Sequence, residues 1–147
     1  MQSIRTALLV VVLTLTQQLT AEAVGKDKNM TMVLEANGKT IVFLLNDSRA
    51  SKDLMDQMPL TVKLADFGHN EKIFYPPKKL RTTGTPLATF NNAKAGTLAY
   101  YGPWGDVVLF FGDFSPASGL YVLGMVASGL ESIATLQGSA QISIRTD

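Results

Sequence analysis

Thr31-Met32-Val33-Leu34-Glu35-Ala36-Asn37-Gly38-Lys39-Thr40-Ile41-Val42-Phe43-Leu44-Leu45 is the stretch whose reading decides the fold. Two β-prone runs, 31–36 and 40–45, flank Asn37-Gly38. A two-residue turn that follows strand twist needs positive φ at both central positions, and Asn-Gly accepts this readily. An antiparallel hairpin is predicted. The chain is then expected to continue in strands.

Downstream, Asn46-Asp47-Ser48 is a cluster of helix-capping residues ahead of a helix over Arg49 to Met58, with Ala50, Leu54 and Met58 on one face. Pro59 stops it, and Leu60, Val62 and Leu64 alternate with polar residues as a strand. From Ala65 to Gly96 the periodicity fades among glycines, prolines and Asn91-Asn92. This reads as loop with short extended pieces, and so long an irregular segment tends to be functional or mobile. Strands return at Thr97 to Tyr101, Val107 to Phe111 and Leu120 to Val126. Ser128 and Glu131 read as a capping box for a short helix ending at Gly138, before a last strand carrying Ala140, Ile142 and Ile144. Six or more strands with two short helices predict a mainly β fold, a closed barrel that removes exposed edges.

Upstream, Arg5 precedes the apolar run Ala7 to Leu15, and Ala21-Glu22-Ala23 fits a small-x-small cleavage site. The run is too short to span a bilayer, which takes about 20 apolar residues. Residues 1–23 are therefore expected to be a cleaved signal peptide, 24–29 a flexible polar terminus and 30–147 one domain. The product is expected to be exported, periplasmic or secreted, with no stable membrane insertion after cleavage.

The 147 residues include 13 Lys or Arg, 12 Asp or Glu and no cysteine, for a net charge of +1. Near-neutral charge argues against nucleic acid, which needs basic side chains crowded on one face. Without cysteine there is no thiol nucleophile, redox pair or thiolate metal site.

Several phrases together resemble the bacterial cyclophilin-like domain family, which is distinct from the true prolyl isomerases. They are Leu45-Asn46-Asp47-Ser48, Met58-Pro59-Leu60-Thr61, Asn70-Glu71-Lys72, Leu98-Ala99-Tyr100-Tyr101-Gly102-Pro103-Trp104-Gly105, Leu109-Phe110-Phe111 and Leu123-Gly124-Met125-Val126. Their order and spacing cover about residues 31–145. The resemblance implies a cyclophilin-like β-barrel of about eight strands with two short capping helices. Where the family often has Gly-Asp before its tyrosine-containing strand, this chain has Gly96-Thr97.

The fold names no activity, so function rests on residues. A true cyclophilin polarises the prolyl imide with an arginine beside aromatics and a Phe-x-x-Gln-Gly-Gly-Asp run, which has no counterpart here. Past the leader the arginines are Arg49, Arg81 and Arg145, and only Arg81 lies in the loop region. The sole histidine, His69, has no Gly-x-Ser-x-Gly elbow to serve. With Glu71 and Asp66 it forms the one conceivable metal cluster, read as surface polarity, so no metal and no cofactor is expected. Asn70-Glu71-Lys72 either braces a loop or touches a ligand. Tyr100, Tyr101, Trp104, Phe110, Phe111 and Phe114 concentrate aromatic surface, which either fills the core or lines a groove.

The expected binding set is Asn70, Glu71, Tyr75 and Arg81 from the loops with Tyr101, Trp104 and Phe111 from the hairpin, and no catalytic residue. The favoured function is non-enzymatic binding of a peptide or small molecule. The alternatives are a weak prolyl isomerase using Arg81 and an envelope protein–protein interaction module. The oligomeric state is left open.

Overall fold

The computed structural model describes residues 30–146, so the leader at 1–23 and the run 24–29 lie outside the described residues. The opening hairpin forms as its turn chemistry demands. β1 (Met30–Ala36) pairs with β2 (Lys39–Leu45), and Asn37 and Gly38 take φ of 38° and 77°. Met32 and Leu34 of β1 and Ile41 and Phe43 of β2 are buried, so the hairpin presents one face to a core.

The remaining elements are α1 (Arg49–Met55), β3 (Leu60–Lys63), β4 (Ala65–Phe67), β5 (Glu71–Phe74), β6 (Thr97–Tyr101), β7 (Asp106–Phe110), β8 (Leu120–Ser128), α2 (Leu130–Ile133) and β9 (Ser139–Arg145). The strands form one antiparallel sheet in the order β3-β9-β1-β2-β8-β6-β7-β5-β4. Its outermost strands, β3 and β4, are separated in sequence by Leu64 alone. The two ends of the sheet therefore meet through the chain, and the sheet rolls into a nearly closed barrel. Leu64 stays tied to the residue just before β9, its N–H donating to the Gly138 carbonyl at 2.9 Å.

The mainly β barrel with two short helices is thus as expected, with local corrections. Among the described residues there are nine strands, the shortest being the three-residue β4. The segment from Ala65 to Gly96 holds a β4–β5 hairpin, whose β5 is fully integrated through β7. α1 ends at Met55, three residues short of Met58. The capping box does not form, because Ser128 belongs to β8 and Gly129 precedes α2 at φ 88° with no side-chain cap. Glycine is required there. A Cβ would sit 2.6 Å from the Thr40 carbonyl oxygen, and the left-handed backbone strains any other residue.

The family-like phrase before α1 is structural. Asn46 donates from Nδ2 to the Val122 carbonyl at 2.7 Å and accepts at Oδ1 from Ser51 Oγ at 2.7 Å, while Ser48 caps α1 by accepting from Ser51 N–H. These bonds fasten the helix to β8. No helix among the described residues is long and apolar enough to cross a membrane.

Two apolar clusters flank the sheet. The larger fills the barrel with residues such as Phe43, Phe74, Leu98, Tyr100 and Leu109. The smaller lies outside it and comprises Ile73 of β5, Ala99 of β6, Val108 and Phe110 of β7 and Leu120 of β8, with Ala88 from the loop before β6. β7 is buried along its whole length because both of its faces are covered.

Candidate functional site

The outward set of β7 is Asp106, Val108 and Phe110, and it floors a pocket of about 720 Å³ on the outer side of the barrel. One wall comes from the β4–β5 hairpin, through Phe67, His69, Asn70 and Glu71. A second comes from the end of β6 and the turn into β7, through Tyr101 and Trp104, and a third from the segment 113–117.

The aromatic corner is well defined. Trp104 meets Phe67 edge-on with ring centroids 5.1 Å apart, and meets Tyr101 at 5.5 Å and 75°. These are favoured arrangements for ring quadrupoles. Trp104 nevertheless stays 51% exposed, so the corner is open to solvent on one side. Opposite, Phe114 stacks on Phe110 at 3.6 Å and 10°, closing the apolar floor.

The polar groups are held as tightly. Asn70 donates from Nδ2 to the Asp113 carbonyl at 3.1 Å, and its own carbonyl accepts from Phe111 N–H at 3.0 Å. Asp113 Oδ1 accepts from Ala95 N–H at 3.0 Å. These bonds fix the third wall to the hairpin. Asp106 is only 2% exposed, yet its Oδ1 has no hydrogen-bond partner among the described residues. Burial pushes the Asp106 carboxyl above its ordinary range. Burial also raises Glu71, with the charge of Asp106 adding to the rise and that of His69 opposing it.

Of the expected binding set, Asn70, Glu71, Tyr101 and Trp104 come together in this pocket. Tyr75 does not line it; it follows β5 and is 58% exposed. Arg81 lies elsewhere, forked onto Asp53 of α1 with Nε–Oδ2 at 2.9 Å and a second nitrogen on Oδ1 at 2.6 Å. That guanidinium holds the Asp53 carboxyl down at about 2. Phe111 packs against the barrel core, and its neighbour Phe110 is the one that reaches the pocket.

Asp106, Phe67, Phe110 and Phe114 were not in the expected set. For Asp106 the available signal is an acid heading the apolar run Val107-Val108-Leu109-Phe110, since a buried polar residue is the informative exception; for Phe110 and Phe114 it is the aromatic density already noted in the sequence. Asp66 leaves the His69–Glu71 cluster by pairing with Lys72. Among the described residues no three His, Asp or Glu side chains are grouped to hold a metal ion.

The sequence profile of the cyclophilin-like family matches residues 34–145. No curated protein matches the chain. The solution structure of a hypothetical protein from Archaeoglobus fulgidus is similar to it, with a TM-score of 0.62 and 17% identity over 82% of this chain and 99% of that one. At that identity the likeness speaks for the fold alone.

Proposed function

The chain belongs to the cyclophilin-like family, and on that premise we propose that it is an exported, non-enzymatic binding domain whose ligand is a peptide or small molecule held in the outer pocket. The observation that carries this reading is the open corner of Trp104, Tyr101 and Phe67 above a buried acceptor, Asp106 Oδ1. Ligand sites combine apolar walls with a few convergent polar groups, at volumes of roughly 300–1,000 Å³. An arginine-based isomerase would need its guanidinium at the pocket, whereas Arg81 is spoken for by Asp53. Export is supported by the leader pattern before Val24, and N-terminal mass measurement of the protein purified from its natural host tests it.

Trp104 is the only tryptophan, so its emission reports the pocket without background. A screen of peptides and fragments is expected to yield saturable changes in Trp104 emission for some compounds. A screen in which none moves Trp104 emission or the amide signals of Glu71 and Asp106 contradicts the reading. A protease-coupled proline-peptide assay at background rate is also expected, and turnover abolished by Arg81→Ala would contradict the non-enzymatic part.

A further inference from the structure

We propose that the pocket selects a hydrogen-bond-donating organic cation, an ammonium or guanidinium group on an apolar stem, with Asp106 as its anchor and Trp104 as its wall. This rests on the pocket being the ligand site, as read above.

Charge carries the first part of the inference. The ionisable groups facing the cavity are Glu71, Asp106, Asp113, His69 and Tyr101, and among the described residues no lysine or arginine lines it. Three carboxylates against one imidazole make the space electronegative. An anion entering would meet like charge in a partly desolvated site, while a cation would be drawn in. Desolvation already opposes ionisation of Asp106 and Glu71, and a bound cation relieves that by favouring their charged forms.

Chemistry narrows it further. The unpartnered Oδ1 of Asp106, almost wholly buried, asks for a donor that the described residues do not supply. A bond to a charged acceptor is about twice as strong as a neutral one. Indole is the best of the aromatic faces for a cation, and Phe67 and Tyr101 stand edge-on to it. A quaternary ammonium would satisfy the rings but has no N–H for Oδ1. A metal ion finds no grouped donors among the described residues. The stacked Phe110 and Phe114 offer an apolar surface to a stem.

The same chemistry belongs to a free aromatic or aliphatic amine and to a lysine or arginine side chain in a peptide. Calorimetry with three matched probes, phenethylamine, 2-phenylethanol and 3-phenylpropanoate, tests the charge preference, and a capped Gly-Lys-Gly peptide separates the two sources. Phenethylamine is expected to bind about tenfold tighter than the alcohol, with the carboxylate weakest. Asp106→Asn is expected to erase that preference with the circular dichroism unchanged. Glu71→Gln, at the solvent side, provides the second variant should Asp106→Asn misfold, and is expected to reduce the preference several-fold. The lysine peptide or the free amine binding better assigns the source, and either result supports the inference. An alcohol or carboxylate equal to the amine, an amine preference unchanged in both variants, or no binding of any cation overturns it. If neutral fragments still move Trp104 emission in that case, the pocket stands and only the cation preference falls.

Discussion

Asp106 is the residue on which most depends. A carboxyl raised in the fold holds its proton more tightly folded than unfolded. Its contribution to stability is therefore greatest below the unfolded value of 3.8 and is lost as pH rises through the raised folded value. Glu71 acts in the same sense from 4.5 upward. Asp53 runs the other way. Its depressed carboxyl stabilises the fold above its ordinary value of 3.8, and that is lost as pH falls towards about 2. Asp106→Asn keeps the shape and removes the buried charge, so it is expected to raise stability at pH 7 by about 1 kcal/mol in urea unfolding. Its gain should vanish near pH 3. A loss of stability at pH 7 would mean that Oδ1 already has a partner in solution. In the same spirit, Arg81→Ala is expected to let the Asp53 carboxyl climb from about 2 towards its ordinary value in an NMR titration. It should leave Trp104 emission and any pocket ligand untouched.

Elements explain what was legible beforehand and what was not. The β1–β2 hairpin could be read outright, since Asn37-Gly38 between two β-prone runs is a local signal. β5 could not. Its Lys72 is buried against the inner side with its ammonium paired to Asp66, so the strand does not alternate as a half-buried strand should. Strand alternation puts Phe110 and Phe111 on opposite sides, but the sequence does not say which faces out, because β7 is covered on both sides by clusters assembled from distant residues. Asp106 was hidden for the same reason: the segment at 113–117 that helps enclose its pocket comes from a separate loop. The capping box at 128–131 failed because β8 keeps its ladder through Ser128, which pairs with Val42. Gly129 then makes the turn. Gly129→Ala is expected to cost about 2–3 kcal/mol by urea unfolding, from the steric contact with Thr40 and the left-handed φ together. Asn37→Ala, at a solvent-exposed turn, should cost about 1 kcal/mol.

The whole molecule is a strip of sheet whose ends meet through one residue, and its stability should be graded along that strip. The middle strands β1, β2, β8, β6 and β7 each have neighbours on both sides, whereas β4 pairs only with β5 and all three of its residues are exposed. Native-state hydrogen exchange is expected to find the slowest amides in β1, β2 and β7 and the fastest strand amides in β4. Uniform protection across all nine strands would contradict a barrel nearly closed at β3 and β4. The same grading has a functional side. The pocket is floored by the well-paired β7 but walled by the hairpin that carries β4, so a ligand resting on Phe67 should slow exchange there. The central claim is that a donor cation sits on the outer face, between Asp106 and Trp104. Intermolecular NOE measurement with phenethylamine tests it most directly. Contacts from its ring to the Phe110 and Phe114 rings, with its methylene next to the amine near Asp106 and the Trp104 indole, are predicted. Contacts confined to the 75–96 segment, or none at saturating amine, would contradict it.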